Sequence, residues 1–342
     1  MRADDCPEGR AHILAIEVAL PERAVTNQEL AERHPEWRMA EVAARAGVET
    51  RHWAAEDQTS LDLAERACRG LVDRGVDLSS VQALLFCTQS PDYPMPPNAC
   101  LLQDRLGLPM EIAAFDYNLA CSGYVYGLYL AKALIDSHQA DRVLLVTAET
   151  YSKLMSLDDR GPATLFGDAA AATVVAAGFD GLEAFALATD GARFNRFWVE
   201  AGGARCPSSA ATRRIEEDEH KNRRSREDIV MHGAGVFDFV RKEIPGFTRN
   251  LLKKARLSLD DVDLVVFHQA SKVAIDYLYA KLEVPEHKRY SNLARVGNTV
   301  SASIPLALHA AAAEGVLRSG MRVLLVAFGV GMSWGGAILR WR

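Results

Sequence analysis

The sequence has no C-x-x-C pair. Its six cysteines, Cys6, Cys68, Cys87, Cys100, Cys121 and Cys206, are scattered, and no His/Cys group has zinc spacing. That pattern excludes a zinc ribbon and predicts free thiols, no metal and a reduced, cytoplasmic setting. No apolar run approaches the roughly 18 residues of a membrane span. The opening MRADDCPEGRAHILAIEVALPE carries early acids and only a short apolar run. It predicts a first strand rather than a signal peptide. Positive charge is also scarce: 39 Lys and Arg stand against 45 Asp and Glu, a formal net charge of -6. Nucleic acid is therefore excluded as the main partner, because phosphate contacts need a basic surface. What is present, 49% hydrophobic residues in a chain of 342, suits a soluble protein with a sizeable core.

The chain repeats itself. DRVLLVTAET begins at 141 and MRVLLVAFGV at 321, 180 residues apart; VQALLFCTQS begins at 81 and VDLVVFHQAS at 262, 181 apart. Short apolar runs ending in small or polar residues read as buried parallel strands. Two pairs at nearly one offset indicate an internal duplication. Each half then runs strand, helix, small-residue loop, Ala-rich helix and strand. The loop and helix are LACSGYVYGLYLAKALIDSH in the first half and VGNTVSASIPLALHAAAAEG in the second. Strands alternating with helices predict parallel sheets covered on both faces, the two halves packing face to face across their Ala-rich helices. The halves are assigned to 1–180 and 181–342. Segment 202–231 breaks the pattern. It is highly charged, nearly free of large apolar residues, and reads as a solvated, mobile loop or a cover for substrate.

The chemistry concentrates in FDYNLACSGYVYG, 115–127. A lone cysteine usually fills space in a core. Cys121, however, stands between a strand end and a helix start, flanked by Ala120, Ser122 and Gly123. A helix start offers unpaired N–H groups and partial positive charge, which predicts a lowered thiol pKa and a place for an oxyanion. His268 ends the buried strand VDLVVFHQAS; Asn298 lies at the start of the second Ala-rich helix. Each has an ordinary structural reading, as a satisfied histidine and as a helix cap. Pseudo-twofold packing of the halves would nevertheless bring all three to one cleft, with Asn298 and Cys121 beginning corresponding helices. Cys, His and Asn without a metal suggest acyl transfer through a thioester. The terminal loop FGVGMSWGG allows a tight turn that could present a backbone N–H to the acyl carbonyl.

These residues are joined by longer motifs: ACSG around Cys121, DRGPATLFGDAAAA from 159, FHQAS around His268, GNTVSASIP from 297 and FGVGMSWG from 328. Together they resemble the β-ketoacyl-acyl-carrier-protein synthase III family of the thiolase superfamily, over nearly the whole chain. The resemblance implies a five-layer α-β-α-β-α fold of two similar halves, a homodimer, and no permanently bound cofactor. It implies coenzyme A thioesters and the phosphopantetheine of acyl-carrier protein as substrates. Cys121 would be acylated. His268 and Asn298 would hold the malonyl thioester oxygen as decarboxylation makes an enolate. The N–H groups of Cys121 and Val330 would form the oxyanion hole. Arg45 and Arg160 match coenzyme A contacts, Phe166 the acyl pocket, and Gly233 and Phe237 the pantetheine tunnel. Ser271 ends the family's H-Q-A-N motif in place of asparagine. Met95, in YPMPPNAC, would reach the partner subunit's pocket.

Other departures concern the donor. The family tryptophan that stacks on adenine stands four residues before the arginine matching Arg45, whereas Trp37 stands eight before it. Val273 replaces a family arginine. ACSGYVYG and TAETYSK are similar to a branch outside primary fatty-acid synthesis. Three functions remain open at this stage. The first is a decarboxylating condensing enzyme. The second is an acyltransferase to an alcohol or amine. The third is a non-catalytic partner subunit, although such partners typically lose the cysteine. Thiolase and chalcone-synthase-like chemistry are further alternatives, but the last loop lacks a thiolase's second cysteine. Basic residues flanking the His268 strand, Arg241, Lys242, Arg249, Lys253, Lys272 and Lys281, are candidates for docking an acidic carrier protein.

Overall fold

The strands picked out by the repeat lie beside each other in the same way in both halves. Ala83–Cys87 pairs in parallel with Arg142–Glu149, Ala83 facing Val143. Leu264–Phe267 pairs in parallel with Arg322–Gly329, Leu264 facing Val323. The register thus follows the sequence offsets. The computed structural model describes residues 11–342, so Cys6 lies outside the described residues.

Two sheets result. The first runs Ala11–Ala19, Ala169–Ala177, Arg142–Glu149, Ala83–Cys87, Ala113–Tyr117. The second runs Leu182–Thr189, Ser333–Arg340, Arg322–Gly329, Leu264–Phe267. A lone parallel bridge from Val265 to Arg289 stands where the first sheet has Ala113–Tyr117. The sheets are mixed rather than parallel, which corrects the expectation. In each half the last two strands follow one another without a long crossover helix, and such neighbours pair antiparallel.

Side chains alternate along each strand, so one strand feeds two cores. Ala83, Leu85, Val143 and Leu145 join Val125, Leu128 and Ala131 of the helix Gly123–Asp136. The same core contains Ile304, Ala307 and Leu308 of Ser303–Ala313, together with Val266 and Leu325 of the other sheet. Leu84, Phe86, Leu144 and Val146 point the other way, onto the helix Ser60–Asp73. Leu324, Val326 and Ile338 face Gly233–Lys254 and Lys272–Lys281. The layers are therefore helix, sheet, helix, sheet, helix. The two central helices are apolar over most of their surface because a sheet covers each side, with polar residues such as Lys132 and Asp136 towards one end.

Segment 202–231 is largely exposed, as its charge suggests, but it is tied to the rest of the chain at several points. Ile229–Met231 pairs with Phe197–Val199, and the Ile229 N–H bonds the Leu154 carbonyl at 2.8 Å. Arg224 donates to Asp159 at 2.7 Å and to Asp218 at 2.9 Å. The Arg160 N–H donates to Asn222 Oδ1 at 3.2 Å. The charges pair with the 154–160 segment, and so the excursion is strapped to the neighbourhood of Arg160.

Candidate active site

Each central helix is entered through a strained turn. Ala120 has φ +40°, and a short 3-10 turn, Ala120–Ser122, leads into Gly123–Asp136. Val300 has φ +54°, and Val300–Ala302 leads into Ser303–Ala313. A left-handed residue other than glycine costs about 1–3 kcal/mol, and a β-branched one is an outlier. Neither turn is closed by glycine, so surrounding packing holds both. The geometry corrects one expectation: the counterpart of Cys121 is Ser301, and that of Asn298 is Asn118. Asn298 also does not cap the helix. Its Oδ1 accepts from Val300 N at 2.9 Å, and its Nδ2 donates to the Ala270 carbonyl at 3.3 Å.

Cys121 is 3% exposed. Burial pushes its thiol up to about 12 and the charge of Glu149 adds to that, while the backbone N–H groups of Cys121 and Val330 pull it down. The helix start acts in the direction the sequence suggested, but burial outweighs it. Cys121 therefore rests as a thiol, not the thiolate that the helix start suggests. Those two N–H groups reach the sulfur, and a Cβ at Gly329 would sit only 2.8 Å from Sγ. Glycine at 329 is what lets the end of the strand Arg322–Gly329 approach Cys121.

His268 is buried, which lowers it to about 3 and keeps the ring neutral at physiological pH. Its Nδ1 lies 2.6 Å from Ser303 Oγ, and Phe328 meets the ring edge-on at 5.7 Å. A Ser303 hydroxyl that donates to Nδ1 would place the ring proton on Nε2. Ser303 was not singled out in the sequence, although it stands in the same GNTVSASIP motif as Asn298.

Cys121, His268 and Asn298 line one cleft of about 910 Å³. Arg45, Arg160 and Phe166 line it as well, as do Gly233, Phe237 and Ser271. Arg45 stands in the last turn of Met39–Ala46. Arg160 begins a short helix capped by Asp159, the acid that Arg224 holds. Phe166 packs with Tyr151 and Phe197, ring centres 5.2 and 5.7 Å away. Phe237 meets Tyr277 edge-on at 5.6 Å. Ser271 caps Lys272–Lys281, its hydroxyl accepting from Ala274 N. Serine and asparagine both cap well, so this departure from the family motif preserves the helix start.

Two predicted residues do not line the cleft. Val330 offers only its N–H. Met95 is 82% exposed and stands away from the cleft of its own chain. Trp37 is buried, and its ring stacks on His34 at 3.8 Å and 4°. Four residues before Arg45 the chain has Glu41. One face of the Trp37 ring is therefore spent on His34, although the residue still lines the cleft. Among the described residues no group of three His, Cys, Asp or Glu could hold a metal, and no helix is long and apolar enough to cross a membrane.

Two family descriptions match: 3-oxoacyl-[acyl-carrier-protein] synthase III over residues 115–191, and its C-terminal part over 252–341. A β-ketoacyl-[acyl-carrier-protein] synthase III of Clostridioides difficile is 33% identical across 97% of this chain and 98% of its own. A Streptomyces coelicolor protein, synthase III 3, is 38% identical across 94% of both. A crystal structure of a 3-oxoacyl-(acyl-carrier-protein) synthase III superposes with a TM-score of 0.95 at 42% identity, covering 97% of this chain and all of the other. With the strained cysteine turn, the neutral histidine and the duplicated sheets, these likenesses mean that the chain belongs to the 3-oxoacyl-acyl-carrier-protein synthase III family.

Proposed function

We propose that Cys121 takes an acyl group from acyl-CoA or acyl-carrier protein and that the chain condenses it with malonyl-carrier protein, releasing carbon dioxide. The observation that carries this is the meeting of Cys121, the Val330 N–H, His268 and Asn298 at one cleft. The Cys121 sulfur attacks the thioester carbonyl and gives up its proton, and the N–H groups of Cys121 and Val330 receive the oxyanion. Free thiol leaves, carrying the proton. The malonyl thioester then loses carbon dioxide, and N–H groups of His268 and Asn298 receive the enolate oxygen. The enolate carbon attacks the acyl carbonyl. The C–S bond breaks, and Cys121 regains a proton from solvent. The products are the 3-oxoacyl thioester, carbon dioxide and free thiol.

One observation favours condensation over acyl transfer to an alcohol or amine. Such an acceptor must lose a proton to a base, and a histidine held near 3 is a weak one. Decarboxylation asks His268 only to donate. No bound cofactor enters the reaction. The same reading divides the chain at 180 and 181 and places it in the reducing cytoplasm, where a nucleophilic thiol survives.

We further read the enzyme as a twofold dimer. Ala113–Tyr117 is an open sheet edge, with Phe115 41% and Met110 88% exposed beside it. Asp116 accepts from the N–H groups of Asn98 and Ala99, which brings the Met95 loop to that edge. An unpaired edge beside exposed apolar side chains fits a second copy. Met95 would then enter the partner's acyl pocket. Methionine closes a pocket less rigidly than an aromatic ring. Met95→Phe should shift donor preference to short acyl groups and Met95→Ala to longer ones. Sedimentation and a panel of acyl donors test this, and a monomer or unchanged donor profiles would refute it.

The carrier-protein patch is narrower than its sequence suggests. Arg241 and Lys242 bond Asp238, and Lys272 pairs with Asp276. Lys253 and Lys281 keep the outward charge. Reversing both to Glu should raise the KM for malonyl-carrier protein severalfold and weaken its salt dependence. Unchanged kinetics would remove the patch.

A further inference from the structure

The duplication gives the fold a second copy of its own site. Positions 121 and 301 correspond, as do 149 and 329, each pair 180 residues apart. Glu149 and Gly329 are the last residues of matching strands and hold matching places in the sheets, opposite Ala169 and Ser333. In the working copy, Cys121 lies against Gly329, and the glycine leaves room for an acyl group. In the mirror copy, Ser301 stands in the nucleophile's place and donates to Glu149 Oε1 at 2.8 Å. Cys87 and Asn118 occupy the places of His268 and Asn298 there. The glutamate side chain lies where the working copy has only glycine.

The carboxyl is fully buried. Oε2 accepts from Gln89 N at 2.9 Å and from Ser90 Oγ at 3.4 Å. Among the described residues no cation bonds it. A buried carboxylate with hydroxyl and amide partners alone is hard to ionise. Burial pushes it up to about 8 against the pull of Gln89, Ser301 and Ser90, with Asp168 raising it further. The titratable groups that feel its charge are Cys87, Tyr117, Cys121 and Tyr151.

We infer that Glu149 is a positioning residue of the condensing site: it fills the mirror-image acyl space, ties the two halves together through Ser301, and by its charge opposes loss of the Cys121 proton. Below about pH 7 burial alone keeps Cys121 a thiol, and as the pH passes about 8 the charge of Glu149 adds to that. Oxidation and stray alkylation need the thiolate, so an ionised Glu149 opposes both at alkaline pH. This rests on the reading of Cys121 as the acylated residue. Alkylation, however, reports the thiol whatever its natural substrate, so failure here would leave that reading standing.

The test is iodoacetamide alkylation of Cys121, followed on its own peptide by mass spectrometry from pH 6 to 10. Glu149→Gln should match the unmodified enzyme below about pH 7, where Glu149 is already neutral. Above pH 8 it should react about tenfold faster, the effect of one unit in the thiol pKa. Ser301→Ala removes a bond to the carboxylate, so Glu149 should ionise at higher pH and delay the slowing of Cys121. A purely structural role would change the rate equally at every pH, and that result, or identical profiles, would overturn the inference. Melting temperature gives a second reading. The folded-state pKa lies above the ordinary 4.5, so this group's stabilisation is complete below 4.5 and lost as pH rises through about 8. The Tm of Glu149→Gln relative to the unmodified enzyme should therefore rise between pH 5 and 9. A constant difference would count against an ionising Glu149.

Discussion

Cys121→Ala is expected to leave a folded protein that gains no mass when mixed with acyl-CoA, where the unmodified chain gains one acyl group per protomer. Folding should survive because the cysteine is small and alanine fits the same strained turn. The alternative nucleophiles are poor. Ser301 donates to Glu149 and Ser122 lies 2.7 Å from Ser333, so both hydroxyls are committed. Cys87 is buried, and like Cys121 it is pushed away from ionisation by that burial. Covalent label on the alanine variant would show that the acyl group is carried elsewhere.

His268→Ala and Asn298→Ala are expected to separate the two half-reactions. Neither side chain supplies the oxyanion donors for acylation, which are backbone N–H groups. Each variant should therefore still accept an acyl group on Cys121. Malonyl decarboxylation should fall by about 10²–10³, the usual effect of losing one oxyanion donor. Release of labelled carbon dioxide and acyl-enzyme mass can be followed in the same samples. Equal loss of both steps would contradict the division. Ser303→Ala should produce a milder version of His268→Ala, because it frees the ring tautomer without removing the ring.

The duplication made the architecture readable. Strands buried on both faces must be apolar throughout, so RVLLV survives in both halves as a visible signature. The antiparallel ends were not visible, since pairing direction depends on the connection and not on the strand's composition. The strained turns were also hidden. A left-handed position usually announces itself with glycine, and here alanine and valine occupy it, held by tertiary packing. That is why the sequence shows Asn298 and Cys121 at the starts of corresponding helices without showing that Ser301 is the counterpart of Cys121. The charge of 202–231 correctly marks an exposed segment but hides its tether: the acid that Arg224 bonds, Asp159, is 65 residues away in sequence. Thiol acidity was misjudged because a helix start is local and legible, whereas burial is a property of the whole fold. Glu149 gives no sign of its place in TAET alone. It becomes visible only when the 180-residue offset is applied to the site as well as to the strands.

Incubation of the purified protein with acyl-CoA and malonyl-carrier protein, read by intact mass of the carrier, is the most direct trial of the central claim. The carrier should bear the 3-oxoacyl group, two carbons longer than the donor acyl, with one carbon dioxide released per product. Both should disappear with Cys121→Ala. A carrier that keeps its malonyl group while the acyl group moves to an alcohol or amine, or product formed equally by the alanine variant, would contradict it.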